Sequence, residues 1–231
     1  MAPTERAKQL REGAQRGTAA DQYNLALCYY SGMDGLAEIK WMAAQLFRKA
    51  AAQGHVGAQV HLGSMYAQGE NVEQNLELAV SWYREAAKQG DPIGQCSLGW
   101  MYEQGKGVEQ NLELAVSWYR ESVKQGNSHG QCYLGFMYHY GKDVEQSFEL
   151  AVSWYRESAK QGNLEAQCRL NHCLLHGDGM EKDAEAAVTW FREAAIAGHT
   201  AAQSELANCY SFGEGVEQND ALAVEWWAKA V

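Results

Sequence analysis

One spacing constrains this chain more than any other feature. Tryptophans recur at 82, 118, 154, 190 and 226, and glycines at 54, 90, 126, 162 and 198, both every 36 residues. A fixed period in this range marks stacked helical hairpins, because a single hairpin cannot bury its own apolar face and needs a neighbour on each side. The segment QNLELAVSWYRE occurs unchanged at 74–85 and 110–121, and returns as QSFELAVSWYRE at 146–157. The expected fold is therefore all-α: a solenoid of six helix-turn-helix repeats at 17–53, 54–89, 90–125, 126–161, 162–197 and 198–231. Residues 1–16 are read as a lone N-terminal capping helix.

Each repeat carries its own start and stop signals. In the stretch 126–138, Gly130, Leu134, Met137 and Tyr138 fall at i, i+4, i+7 and i+8, one apolar face of a first helix. Asp91, Asn127 and Asn163 precede such helices as N-caps, and Pro92 takes the first-turn position that tolerates a missing N–H. A loop follows whose third position is Asn71, Gly107, Asp143, Gly179 or Gly215, residue types that reach left-handed angles at low cost. The second helix starts after Asn75, Asn111, Ser147, Asp183 or Asn219, with Glu two residues on in four of five copies, at the positive end of the helix dipole. Ala79, Trp82, Tyr83 and Ala86 make its buried face, and the Trp column is expected to fill the space between consecutive repeats.

At this point the residues resemble the Sel-1-like repeat family, relatives of tetratricopeptide repeats. The pattern is carried by Leu98, Gly99, Tyr102, Gly105, Gly107, Val108, Ala115, Trp118 and Gly126, and by the equivalent residues of most other copies, over roughly 17–231. The resemblance implies a right-handed superhelix with the first helices on its concave side, and a role as adaptor or scaffold in protein complexes. Two departures stand out. The first repeat is one residue longer and has Leu46 in the Trp column, and the last helix lacks a closing Gly. In cysteine-rich secreted relatives a first-helix Cys pairs with a second-helix Cys. Here Cys28, Cys96, Cys132, Cys168, Cys173 and Cys209 all fall in first helices, which excludes that pairing and fits reduced thiols in a cytoplasmic protein.

The net charge of −10 opposes nucleic-acid binding, which needs clustered Lys and Arg, and favours a neutral or basic protein or peptide partner. No stretch reaches the roughly 18 apolar residues of a membrane span. Columns that vary among the repeats sit at i, i+4, i+7 and i+11 of the first helices and so form one face. They are Ile93, Ser97, Trp100 and Gln104; His129, Tyr133, Phe136 and Tyr140; and Glu165, Arg169, His172 and His176. Trp100, His129, Tyr133, Phe136, Tyr140, Arg169, His172 and His176 are the candidate partner-binding residues, since Trp, Tyr and Arg supply much of interface hot-spot energy. The alternative for the same rings is packing against neighbouring helices.

His172 and His176, with Cys168 and Cys173 nearby, have metal-ligand spacing, but no third ligand of matching direction is evident and no metal or cofactor is expected. No Ser or Cys stands beside a His as a nucleophile pair, and the glutamates of the second helices are repeated surface charges, so no enzyme is expected. The expected function is a non-enzymatic adaptor holding a protein segment on the first-helix face, as a monomer or weak homo-oligomer. The alternative is a structural protein that self-associates through its C-terminal edge around Trp226 and Trp227.

Overall fold

The computed structural model describes residues 3–230. Among them there are thirteen helices and no strand. α1 (Glu5–Gln15) is followed by six pairs: α2 (Ala19–Ser31) and α3 (Lys40–Ala52), α4 (Val56–Gln68) and α5 (Leu76–Lys88), α6 (Pro92–Gln104) and α7 (Leu112–Lys124), α8 (Ser128–Tyr140) and α9 (Phe148–Lys160), α10 (Leu164–His176) and α11 (Ala184–Ile196), α12 (Thr200–Phe212) and α13 (Asp220–Lys229). The chain forms two compact units, one ending at Ser122 and one beginning at Val123. In the first, each helix from α1 to α6 packs on its chain neighbours; in the second, α8 to α13 do the same, and α10 also meets α12. This is the all-α repeat fold that the 36-residue period requires.

The helix boundaries follow from side chains that satisfy orphan backbone N–H groups. Asp91, Asn127 and Asn163 accept from Gly94, Gly130 and Ala166 at the starts of first helices. Asn75, Asn111, Ser147, Asp183 and Asn219 accept from the N–H three residues on at the starts of second helices. First helices from α4 onward end on glycines with left-handed φ, Gly69, Gly105, Gly141, Gly177 and Gly213. In the loop, Asn71, Gly107, Asp143, Gly179 and Gly215 all have φ between 55° and 68°, as their column predicts. A Cβ at Gly107 would also collide with the backbone carbonyl of Leu76 in α5, so that site needs glycine for space as well as angle.

The Trp column is less deeply buried than expected. All five indoles are half-buried. Trp82 leans on the cluster of α1–α4, Trp118 on that of α5 and α6, and Trp190 and Trp226 on that of α10–α12. The fully buried ring is the residue one position later: Phe47, Tyr119, Tyr155 and Phe191 have 0–1% of their surface exposed. A 100° step around the helix separates the two columns, so one ring points into the core while the indole beside it lies at the core's edge. Where that ring is a tyrosine, glycine on the first helix admits it. A Cβ on Gly99 would stand 2.8 Å from the Tyr119 ring and one on Gly135 2.8 Å from that of Tyr155.

Polar links tie the hairpins together at fixed positions. The Gln53, Gln89 and Gln161 side-chain amides, just past their second helices, donate to Gln22, Gln59 and Gln131 Oε1, each at 2.8 Å. The same first-helix column then donates to the preceding second helix: Gln22 to the Ala14 carbonyl, Gln59 to Ala51, Gln167 to Ala159 and Gln203 to Ala195. Ala197 interrupts the outer half of this ladder, and Gln203 Oε1 is buried with no partner among the described residues.

Candidate functional site

The variable face of the second unit is where the chain departs most from its own repeat. Gly141 and Gly177 end α8 and α10 in the left-handed conformation, and the last turns before them carry His139 and Tyr140, then His172 and His176. α8, α10 and α12 are first helices of consecutive repeats. Together with Tyr155 of α9 they enclose a pocket lined by His139, Tyr140, Glu165, Arg169, His172 and Glu205. Tyr155 itself lines the pocket, as do Cys168 and Ala201.

Its charges are partly paired. Arg169 holds Glu165 at 2.7 Å, and its guanidinium lies 4.7 Å from the Phe136 ring centre. Lys142 Nζ lies 4.4 Å from the same ring centre. Glu205, half-buried on α12, makes no ion pair among the described residues, and its charge is felt at His172 and Cys168. His139 is buried, with Nδ1 3.8 Å from Cys173 Sγ and Nε2 3.9 Å from Asp178. Burial lowers the pKa of His139 below the ordinary histidine value, against the opposing pull of Asp178. Burial likewise lowers that of His172, against the pull of Glu205. Both rings are therefore neutral at neutral pH.

The eight sequence candidates separate into three groups. Phe136, Tyr140, Arg169, His172 and His176 come together in the second unit: the Phe136 and Tyr140 rings are 4.6 Å apart and the His172 and His176 rings 4.4 Å apart. Tyr140 and His176 are exposed, while Phe136, Arg169 and His172 are half-buried. His129, also exposed, has a structural contact, since its Nδ1 lies 3.0 Å from Nδ2 of Asn163, the cap of α10. Tyr133 is half-buried on α8, and Trp100 lies in the first unit, half-buried, with Lys106 Nζ 4.5 Å from its ring centre. The rings at 100 and 136 are thus covered by basic side chains rather than bare.

His139, Tyr155 and Glu205 were not singled out from the sequence. Glu205 could have been, since it continues the varying column of Ser97, Tyr133 and Arg169 by one more repeat. Tyr155 sits in a scaffold column and gives no such signal. Among the described residues no group of three or more His, Cys, Asp or Glu side chains is arranged to hold a metal ion. All six cysteines are free and buried, and burial pushes the thiols of Cys132, Cys168, Cys173 and Cys209 up to about 12, so they stay protonated at neutral pH. No helix among the described residues is long and apolar enough to cross a membrane.

The Sel1 repeat profile matches residues 19–55, 56–91, 92–127, 128–163, 164–199 and 200–231. A Sel1 repeat protein from Oxalobacter formigenes is 28% identical and superposes with a TM-score of 0.81 over 99% of this chain and 97% of its own. The c5321 protein, a protective antigen of uropathogenic Escherichia coli strains with an SLR fold, is 33% identical over 97% of this chain, with a TM-score of 0.74. This chain spans 48% of the length of that antigen. No curated protein matches the chain.

Proposed function

Because the chain belongs to the Sel1 repeat family, whose members are in general protein-interaction scaffolds rather than catalysts, we propose that it is a non-enzymatic adaptor that holds a protein or peptide segment on the face of its first helices. The residues assigned to this role are Trp100, His129, Tyr133, Phe136, Tyr140, Arg169, His172 and His176. The observation that carries the reading is a pocket spanning three first helices that Tyr140, Arg169 and His172 line, with Phe136 packed against Tyr140 and Arg169. Elsewhere these columns hold Ser64 and Asn208, Gln68 and Gln104, and His61 and Ser97, so the scaffold does not require them. Aromatic and arginine side chains grouped in a concavity are the usual anchors of protein recognition. The acidic chain favours a neutral or basic partner, and the six reduced, buried thiols suit a cytoplasmic setting.

The test is affinity capture beside a triple variant, Trp100→Ala, Phe136→Ala and Tyr140→Ala, verified as folded by circular dichroism. The captured protein is then purified and titrated against both forms. Loss of binding only in the variant is the expected result; equal affinity for the two forms refutes the assignment. A second reading, self-association through the last repeat, is favoured by Phe212, Val224 and Trp227, exposed at 73%, 62% and 40%. Under it, Trp227→Asp converts an oligomer to a monomer in sedimentation, and the triple variant leaves the oligomer intact.

A further inference from the structure

The pocket of the second unit has one polar group that its surroundings leave unused. Tyr155 is 1% exposed and lines the pocket. The equivalent ring one repeat earlier, Tyr119, donates its hydroxyl to buried Glu103 at 2.8 Å. The Tyr155 hydroxyl makes no such bond among the described residues, because the column of Glu103 holds His139 here and that ring turns its nitrogens to Cys173 and Asp178. That leaves the Tyr155 hydroxyl at the cavity wall with no such carboxylate partner, a donor and acceptor that a ligand's polar group can engage.

The second observation is the charge balance of the walls. Arg169 is engaged by Glu165 and covered by Phe136, so its positive charge is compensated in place. The two imidazoles are held neutral by burial. Glu205 is left as the uncompensated charge, half-buried at the pocket wall. Tyr140, 53% exposed, offers an aromatic surface at the mouth.

Resting on the adaptor reading above, we propose that this pocket takes the cationic side chain of a lysine or arginine in the bound segment, its charged head against Glu205 and the Tyr155 hydroxyl and its stem along Tyr140. A carboxylate or phosphate ligand fits less well. Its counter-charge would have to come from Arg169, at the expense of the 2.7 Å pair with Glu165. Glu205 stands in a column that varies freely, with Ser97, Tyr133 and Arg169 in the preceding repeats, so the scaffold does not require a carboxylate there.

The test uses the whole chain, labelled with ¹³C at the tyrosine rings, and four small probes read by NMR: Nα-acetyl-lysine methylamide, Nα-acetyl-arginine methylamide, the uncharged Nα-acetyl-norleucine methylamide, and inorganic phosphate. Saturable shifts of the Tyr155 signal with the two cations are expected, weakened about tenfold or more by Glu205→Gln, the scale of losing one charged hydrogen bond. Tyr155→Phe keeps the packing, and with Tyr140 signals as the readout it weakens the same probes by a smaller factor. Binding of norleucine methylamide as tight as that of lysine methylamide overturns the proposal, as does saturable binding of phosphate in place of the cations. No shift with either cation, in protein whose melting curve is intact, also overturns it. A captured partner whose affinity is unchanged by Glu205→Gln but lost in the Trp100, Phe136 and Tyr140 variant sinks the cation site and leaves the adaptor role standing. Saturable cation binding with no partner lost from that variant does the reverse.

Discussion

Replacing Gly99 by alanine sets two opposed effects against each other, and the structure decides the sign. In the middle of α6 the change removes a flexible residue and, on helix propensity alone, stabilises by about 1 kcal/mol. The added Cβ, however, stands 2.8 Å from Tyr119 Cε1, 2.9 Å from Cδ1 and 3.2 Å from the Ala115 carbonyl. An ordinary carbon–carbon contact needs roughly 3.5–4.0 Å, so ring and helix must part by close to an ångström. Tyr119 is fully buried and cannot swing into solvent. Its hydroxyl is tethered at 2.8 Å to buried Glu103, and a shift of that size takes the bond near its limit. Overpacking of this kind costs about 1–3 kcal/mol, and weakening a hydrogen bond to a charged group adds part of about 1.5–3 kcal/mol. The net is a loss of roughly 1–4 kcal/mol once the propensity gain is subtracted. Repeat arrays need not unfold in one step, so the urea midpoint should be read together with native-state amide exchange in α6. Faster exchange in α6 and a lower midpoint are expected. A midpoint that rises by the propensity increment refutes the close-approach argument.

Other consequences follow from the same geometry. Phe191→Ala removes a fully buried ring and should lower stability by about 3–5 kcal/mol, whereas Trp190→Ala, half-buried, should cost clearly less; equal losses in urea unfolding would contradict the burial order. Asn111→Ala removes the acceptor for the Leu114 N–H at 2.9 Å and should cost about 1 kcal/mol, visible as faster amide exchange in the first turn of α7. His139 and His172 have folded-state pKa values lowered by burial, so below the ordinary value of 6.5 the unfolded chain binds more protons than the folded one. Their stabilising contribution is therefore present above about pH 6.5 and lost as pH falls; a urea midpoint that stays flat between pH 7.5 and pH 5 would refute this. As pH falls below the ordinary histidine value, protonation of His172 beside Glu165, Arg169, His176 and Glu205 should weaken binding of the lysine probe, and His172→Gln should remove that dependence.

The repeat, its caps and its loop conformations were legible because each rests on local chemistry repeated in register: Asn75 and Asp183 read as caps, and Asn71 and Asp143 read as left-handed residues. Which ring is buried was not. Trp82 and Tyr83 are adjacent and both aromatic, and only the 100° turn between them and the depth of the Gly63 notch separate edge from core. The candidate face was legible as a set of varying columns, but not the engagement of its members. Nothing in sequence says that Phe136 lies beneath Lys142 and Arg169, or that His129 meets Asn163, because those contacts join residues up to 34 positions apart. Tyr155 lay beyond reach for a further reason: its column is aromatic in every repeat, and what distinguishes it from Tyr119 is the carboxylate partner its hydroxyl lacks.

The glutamine links act as a ruler for the length of the chain. Linked glutamines are separated by 30 residues in two of the hairpins and by 31 in the first, Gln22 to Gln53. That extra residue falls in the connection between α2 and α3, where both amides still meet at 2.8 Å. An insertion inside a helix would instead rotate everything after it by about 100° and aim the amide away from its acceptor. Length in such an array can drift only in the connections between helices, and it can grow by copying whole units, since a complete 36-residue copy brings its own pair of amides in phase. The nearly identical segments at 74–85, 110–121 and 146–157 are what growth under that rule leaves behind.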